Sequence, residues 1–432
     1  MITRLPRVSC ACILASTILT TVAGCQHYFG AAHAATYYVA PTGNNSNPGT
    51  ENKPFRTIAY AVSTMVAGDT TYVMDGTYNE GVIRFQRSGT QAAPIKLLNY
   101  SGHAPKIVFN DPTATHRILI EHASGHNKAI GWITIEGFEL TNGHDGIKYY
   151  NLHDSTIRRN WIHDNRFMGI MGNGGTRLLF DRNRINHNGW FEACEAGEKT
   201  DAGHSYCSLH HGFYLHGSSY TITNNLVYDN LGYGIQQNGS SSASYSSSKH
   251  PGPEFAGAAN WVIANNTLAY SNYRAGIVVW GGSCDGTRIE NNIFYENALK
   301  LATSSVQGIA CTSCGGSENV SIRNNHAYAS GTGAQTFIVS ASFHASTVNS
   351  GNVVNVSNPG FVNAPASLPD SPNFALTARS PAIDAGVPLA EARIAFDGTL
   401  RPQGRAPDIG AYEYIASADA KAPAAPVALQ AH

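Results

Sequence analysis

The chain has 432 residues, 13% of them charged, and a formal net charge of −1. So neutral a balance argues against a nucleic-acid partner and against electrostatic adhesion to a membrane surface. With 43 Gly, many Asn, Ser and Thr residues and few amphipathic helical stretches, the composition suits an all-β fold with many tight turns.

The N-terminus reads as a targeting segment. Arg4 and Arg7 precede an apolar stretch from Val8 to about Gly24, too short and too rich in small and polar residues for a membrane-spanning helix. It ends in Val22-Ala23-Gly24-Cys25, which is similar to the lipobox of bacterial lipoproteins, in which the cysteine is acylated. Ala32-His33-Ala34 offers a second exit, with the small-x-small form of an ordinary cleavage site. Residues 1–34 are therefore read as the signal region, cleaved either at the lipobox ending at Cys25, which leaves a lipoprotein at the cell envelope, or after Ala34, which leaves a secreted chain. A membrane enters only through a lipid on Cys25, and a monomer is expected.

Residues 37–80 predict a helix around Pro54–Met65 and a first strand at Thr70–Met74. From there the chain repeats itself: TIRRNWIHDN (156–165), LFDRNRINHN (179–188), TITNNLVYDN (221–230), VIANNTLAYS (262–271), RIENNIFYEN (288–297) and SIRNNHAYAS (321–330). Each unit carries an Asn three residues after its apolar anchor, at Asn160, Asn183, Asn225, Asn266, Asn292 and Asn325. Gly-Ile or Gly-Phe phrases recur at 146, 169, 212, 234, 276 and 308, and an earlier coil, ITIEGFEL, leads into the first of them. A period of this size with short strands means a solenoid, whose coils bury their apolar faces only by stacking. The helix then caps the open end. The Asn column suits a bend, where Asn tolerates a left-handed backbone and its amide can bond the Asn of the next coil. Residues 358–414 read as short strands and turns that close the other end, and 416–432 as a disordered Ala/Pro tail.

Cys194 and Cys207 bracket a loop that a disulfide would staple. Cys311-Thr-Ser-Cys314 reads as a disulfide rather than a zinc site, because no second C-x-x-C or histidine pair accompanies it. With Cys284 the last three make an odd number.

YYVAPTGNNSNPGT with KPFRTIAYA and GDTTYVMDGTY, the Asn column, and the SPAIDAG and PDIGAYEY phrases together resemble secreted right-handed parallel β-helix proteins, including polysaccharide lyases of the pectate lyase family 9 and alginate lyase family 6 types. The resemblance covers about residues 36–415. It implies an all-β right-handed parallel β-helix with an N-terminal capping helix, and an acidic, uronate-containing polysaccharide as partner. The family 9 calcium site includes neighbouring aspartates, and this chain has no Asp-Asp pair. The pectin-hydrolase pattern of paired Asp and Gly-His-Gly is also missing. No metal ligands are assigned, and calcium stays open as a cofactor.

Strand alternation after each Gly-Ile phrase sends Ile147, Ile170, Phe213, Ile235 and Ile277 inward. Lys148, Met171, Tyr214, Gln236 and Val278 then face outward, and two residues on so do Tyr150, Asn173, His216, Asn238 and Trp280. Just before the Gly lie Asp145, Met168, His211, Tyr233 and Ala275, and HHGFYLHG (210–217) puts three histidines and Tyr214 in one coil. Two insertions, 189–209 and 239–260, flank this coil and its neighbour and are expected to wall a groove. β-Elimination on a uronate needs the carboxylate neutralised, the C5 proton removed and O4 protonated. The catalytic candidates are Lys148, His211, Tyr214 and His216, the histidines titrating in a suitable range. The substrate-binding candidates are Tyr150, Asn173, His210, Gln236, Asn238 and Trp280. His163 and His187 read as structural. A glycoside hydrolase would need two spaced carboxylates, for which Asp145, Asp164, Asp229, Glu192, Glu195 and Asp201 are available. A C5-epimerase shares the proton abstraction, and a non-catalytic glycan-binding or structural β-helix is the remaining alternative.

Overall fold

The computed structural model describes residues 34–108, 116–190, 200–201, 205–239, 258–281, 284–299, 306–312, 316–330, 336–338, 343–344 and 346–416. The targeting segment, most of both insertions and the Ala/Pro tail lie outside them.

The strands pair in parallel from coil to coil, without a change of register along most of the stack. One apolar column runs Ile118, Ile147, Ile170, Phe213, Ile235, Ile277 and Ile309. A second runs Ile135, Ile157, Phe180, Ile222, Ile263, Ile289 and Ile322. A third, on a separate sheet, runs Leu140, Ile162, Ile185, Val227, Leu268 and Phe294. All are buried in one continuous core. Each such side chain contributes about 1.5–3 kcal/mol by leaving water, a gain no isolated coil could make. This is the expected parallel β-helix.

The cap is the helix Ile58–Thr64, within the predicted span, and the first strand is Thr70–Val73. Thr57 caps the helix by accepting the Tyr60 N–H, and the Glu80 carboxylate accepts those of Ile58 and Ala59 at 2.7 and 2.8 Å. A carboxylate at a helix N-terminus satisfies donors that the helix cannot. Ile58, Ala61 and Val62 turn into the end of the core.

The Asn column is continuous. Each amide donates to the Oδ1 of the next coil's Asn, from Asn160 through Asn183, Asn225, Asn266, Asn292 and Asn325 to Asn352, at 2.9–3.2 Å. A second run joins Asn165, Asn188 and Asn230. The left-handed residue is the one before each ladder position: Arg159, Arg182, Asn224, Asn265, Asn291 and Asn324, with φ of 52–57°. The ladder Asn thus recurs from coil to coil with its hydrogen bonds, and the expectation of a left-handed backbone moves to its neighbour.

The C-terminal segment does not close the end of the stack. Its strands Phe361–Asn363 and Asn373–Leu376 lie on the flank, where Phe361 and Phe374 pack on Tyr228, Tyr270 and Tyr295. Asn265 donates to Asp408 O, and the Ala411 N–H to Thr267 Oγ1, at 2.9 and 3.1 Å. SPAIDAG and PDIGAYEY hold each other: the Asp384 and Tyr414 N–H groups both donate to the Asp408 carboxylate, whose pKa burial pushes up to about 6. Cys207 and Cys311 are disulfide-bonded and Cys284 is a buried free thiol, while Cys194 and Cys314 lie outside the described residues. Among the described residues no helix is long and apolar enough to cross a membrane.

Candidate functional site

The outward row after the Gly-Ile phrases has the expected register. Lys148, Met171, Tyr214, Gln236 and Val278 are successive partners, and so are Tyr150 with Asn173 and His216 with Asn238 and Trp280. The pairing Gly172↔Leu215 sets Asn173 and His216 at one level. Coils lie about 4.8 Å apart, so Lys148 and Tyr214 stand about 10 Å apart along the stack, and Trp280 about 10 Å further.

Direction and exposure part company on this face. Lys148, Tyr150 and Tyr214 are partly exposed and Trp280 is 43% exposed. Asn173, Gln236 and Asn238 are buried, and His216 is only 1% exposed. Val278 packs with Tyr233 and Ala275 in a small apolar cluster of its own. The row is therefore partly covered and not an open sheet, and most of the two insertions expected to wall a groove over it lie outside the described residues.

The buried members hold the accessible ones. Asn238 Nδ2 donates to Tyr214 Oη at 2.9 Å, a bond that fixes the phenol and steadies negative charge on its oxygen. The Tyr214 ring lies 5.2 Å from that of His216 and is stacked on that of His211. Asn173 Oδ1 is buried without a hydrogen-bond partner. Tyr150 has one face covered by His126, parallel at 3.7 Å, with Lys148 Nζ 5.6 Å from its centre, so only part of it is left to meet a sugar.

Two histidines need correction. His210 is fully buried at the bend, its Nδ1 bonded to Gly189 O and its ring against Phe167. His211 is also fully buried, with Nδ1 accepting the Tyr233 N–H at 2.9 Å. Burial first, then the charges of His210 and Arg274, hold its pKa well below the ordinary imidazole value; Gln236 beside it opposes this without forming a bond of normal geometry to Nε2. His211 is thus a neutral, packed ring and does not titrate in the range expected. His163 is bound by Glu139 and Asp164, and His187 by Asp229, in keeping with structural roles.

Sequence reasoning missed two groups. At the N-terminal end of the row, Arg84 pairs with Glu121, and Glu121 with His126 at 2.7 Å. Burial, Lys148 and Arg84 lower the His126 pKa. At the bend, His116 and His144 flank Asp145, with both Nδ1 atoms near its Oδ2, at 2.8 and 3.1 Å. Burial opposes the charge of Asp145, but the two imidazoles outweigh it and hold the carboxyl below the usual range. The coil that carries His116 lacks the Gly-Ile phrase, because Arg117 stands where later coils have Gly, although Ile118 still pairs with Ile147.

The bend cluster suits calcium poorly. Among the described residues the single cluster of three or more ligating side chains is His116, His144 and Asp145. Two imidazoles and one carboxylate are a poor set for an ion that takes six to eight oxygens.

Residues 37–206 match the family model described as Pel9A-like, right handed beta helix region, and residues 206–364 match right handed beta helix region. The uncharacterized protein YwoF of Bacillus subtilis is 36% identical over 109 residues, 24% of this chain and 23% of its own length. Pectate lyase PEL9 of Emericella nidulans is 39% identical over 77 residues, 18% of this chain and 19% of its own. The chain spans about a fifth of the length of these curated relatives. Among solved structures, pectate lyase Pel9A has 18% identity and a TM-score of 0.49, covering 88% of this chain and 96% of that one. A rhamnogalacturonan lyase has 16% identity and a TM-score of 0.45, covering 79% and 96%. Two right-handed β-helix models thus account for residues 37–364, and the chain is a right-handed parallel β-helix protein, Pel9A-like over residues 37–206.

Proposed function

We propose that the protein is an exported polysaccharide lyase that cleaves a uronate-containing glycan by β-elimination. The observation that carries this reading is Lys148 and Tyr214 on one accessible row, two coils apart, with Tyr214 Oη held by Asn238. The Pel9A-like match over 37–206, which includes Lys148, supports it, as does the pectate lyase name of one relative.

Lys148 removes the C5 proton in this reading. Tyr214 protonates the leaving O4, and the Asn238 N–H stabilises the charge that develops on its oxygen. Asn173, whose Oδ1 has no partner, and Gln236 orient the sugar hydroxyls. Trp280 offers an apolar face to a sugar ring further along. His211 and His216 act through Tyr214 by fixing its ring, as positioning residues. Export would proceed through residues 1–34, ending at Cys25 or Ala34.

The test is a panel of uronate polysaccharides with the purified protein, followed by ultraviolet absorbance of the unsaturated product. Reducing ends without that absorbance would sink the lyase in favour of a hydrolase. Retention on a glycan column without any product would favour a binding protein.

A further inference from the structure

The geometry points to a transition-metal site, of the kind that takes zinc, formed by His116, His144 and Asp145. One ligand atom from each lies within 4.8 Å of the others. The two imidazole Nδ1 atoms approach the same oxygen, Asp145 Oδ2, at 2.8 and 3.1 Å. Neighbouring ligands of a tetrahedral ion with bonds of about 2.0–2.1 Å sit about 3.3 Å apart, so small outward shifts would admit one. His116 Nδ1 is buried and close to Asp145 yet makes no hydrogen bond of normal geometry. Ligand atoms aimed at a shared third point have this appearance.

The surroundings favour such a use. Asp145 is fully buried, and its other oxygen, Oδ1, accepts the Met168 N–H at 3.1 Å. That bond orients the carboxylate and leaves Oδ2 toward the imidazoles, as supporting shells do around bound metals. Phe167 stacks on the His144 ring at 4.7 Å and fixes its plane. The two histidine side chains are each 22% exposed, so a fourth position would open toward solvent. Three protein ligands and one open position distinguish reactive zinc sites from closed structural ones. Imidazole nitrogens select zinc and its neighbours over calcium or magnesium.

Asp145 lies three residues before Lys148, at the entry to the same strand. The open position fits a carboxylate of the acidic glycan, and this part alone rests on the lyase reading.

The experiment uses the purified chain, stripped with a chelator, dialysed and titrated separately with zinc, cobalt(II) and calcium salts. Calorimetry and elemental analysis read the stoichiometry. One zinc per chain is expected, with a four-coordinate cobalt spectrum that zinc abolishes and no calcium uptake at the same concentrations. His144→Gln and Asp145→Asn should each weaken zinc at least about 100-fold, whereas His187→Gln should not. No stoichiometric zinc on the folded wild-type chain overturns the site, as does zinc held equally by the variants or calcium uptake lost in Asp145→Asn. Should the variants fail to fold, the wild-type cobalt spectrum decides, and a six-coordinate spectrum overturns the site. Unsaturated product formed equally with and without zinc overturns the carboxylate role and spares the lyase. Stoichiometric zinc without product on any uronate glycan overturns the lyase and spares the site.

Discussion

Two rows run along this solenoid, a buried ladder of Asn and an outward row that is only partly covered. The Asn ladder repeats the same residue from coil to coil, and each amide is satisfied by the next. The groove row changes residue at every step, from Lys148 through Met171 and Tyr214 to Gln236, and leaves Asn173 Oδ1 and His211 Nε2 without bonds. A uniform row is the solution to a packing problem that every coil shares. A row that varies from coil to coil is not explained by that shared packing, and in the lyase reading it serves the substrate. Mutations should therefore separate the rows, activity from one and stability from the other.

The largest effect belongs to the groove. Tyr214→Phe should lower turnover by about 10²–10⁴-fold, the usual worth of a positioned general acid. Its melting temperature should shift little, because the ring and its contacts with the His211 and His216 rings stay. His216→Ala is a poorer probe, since removing a side chain that is 1% exposed empties part of the packed layer. Initial rates and thermal melts on both variants check the contrast, and a Tyr214→Phe enzyme of normal rate would break it.

The ladder should respond in the opposite way. Asn225 accepts from Asn183 N and Nδ2 at 2.8 and 3.0 Å, and donates to Phe180 O and Asn266 Oδ1. Asn225→Ala leaves the Asn183 backbone N–H without an acceptor and Asn183 Nδ2 with Ile157 O alone, at about 1–3 kcal/mol for each bond lost. A loss of about 3 kcal/mol or more is expected in denaturant unfolding, with turnover per folded molecule unchanged.

The ladder was legible in the sequence for the same reason that it is structural: repetition writes it six times. The groove register was legible too, because Gly-Ile phrases fix the phase of each strand. Cover was not. Alternation says that His216 and Val278 point away from the core, but other parts of the fold decide whether solvent reaches them. The cluster at His116 was hidden by a single substitution in the phrase, Arg117 for Gly. The C-terminal phrases were recognisable as a pair, yet their bonds run to each other across 24 residues, Asp384 N to Asp408 Oδ1 at 2.8 Å. Nothing local in them says whether that pair sits on the end of the stack or on its flank.

A pH dependence sharpens the comparison at His211, which belongs to the groove but behaves as packing. Its folded pKa is lowered, while the unfolded chain titrates near about 6.5. Above that pH both states are neutral and the group costs nothing. As pH falls below about 6.5 the unfolded state takes up a proton that the folded state refuses, so stability drops by up to about 1.4 kcal/mol per pH unit. His211→Asn keeps an acceptor for the Tyr233 N–H and removes the titration, so its unfolding free energy should fall less steeply between pH 6.5 and 5. Buried His326, also lowered, supplies slope that both proteins retain.

The smallest effect tests where the groove ends. Trp280 follows Asn238 in register and is 43% exposed, whereas Val278, two residues earlier on the same strand, is buried. A ring that packs on little of its own chain adds little to stability, and Trp280→Ala should melt close to the wild type. Aromatic contact with a sugar ring is worth about 0.5–1.5 kcal/mol, or roughly 2–10-fold. Lying about 10 Å beyond Tyr214, it would hold the substrate equally before and during the reaction, so KM should rise by that factor while kcat stays constant. A fall in kcat instead would move the reacting bond toward Trp280 and away from Lys148. An unchanged KM would end the groove at Asn238 and leave Trp280 on the same side of the comparison as the ladder.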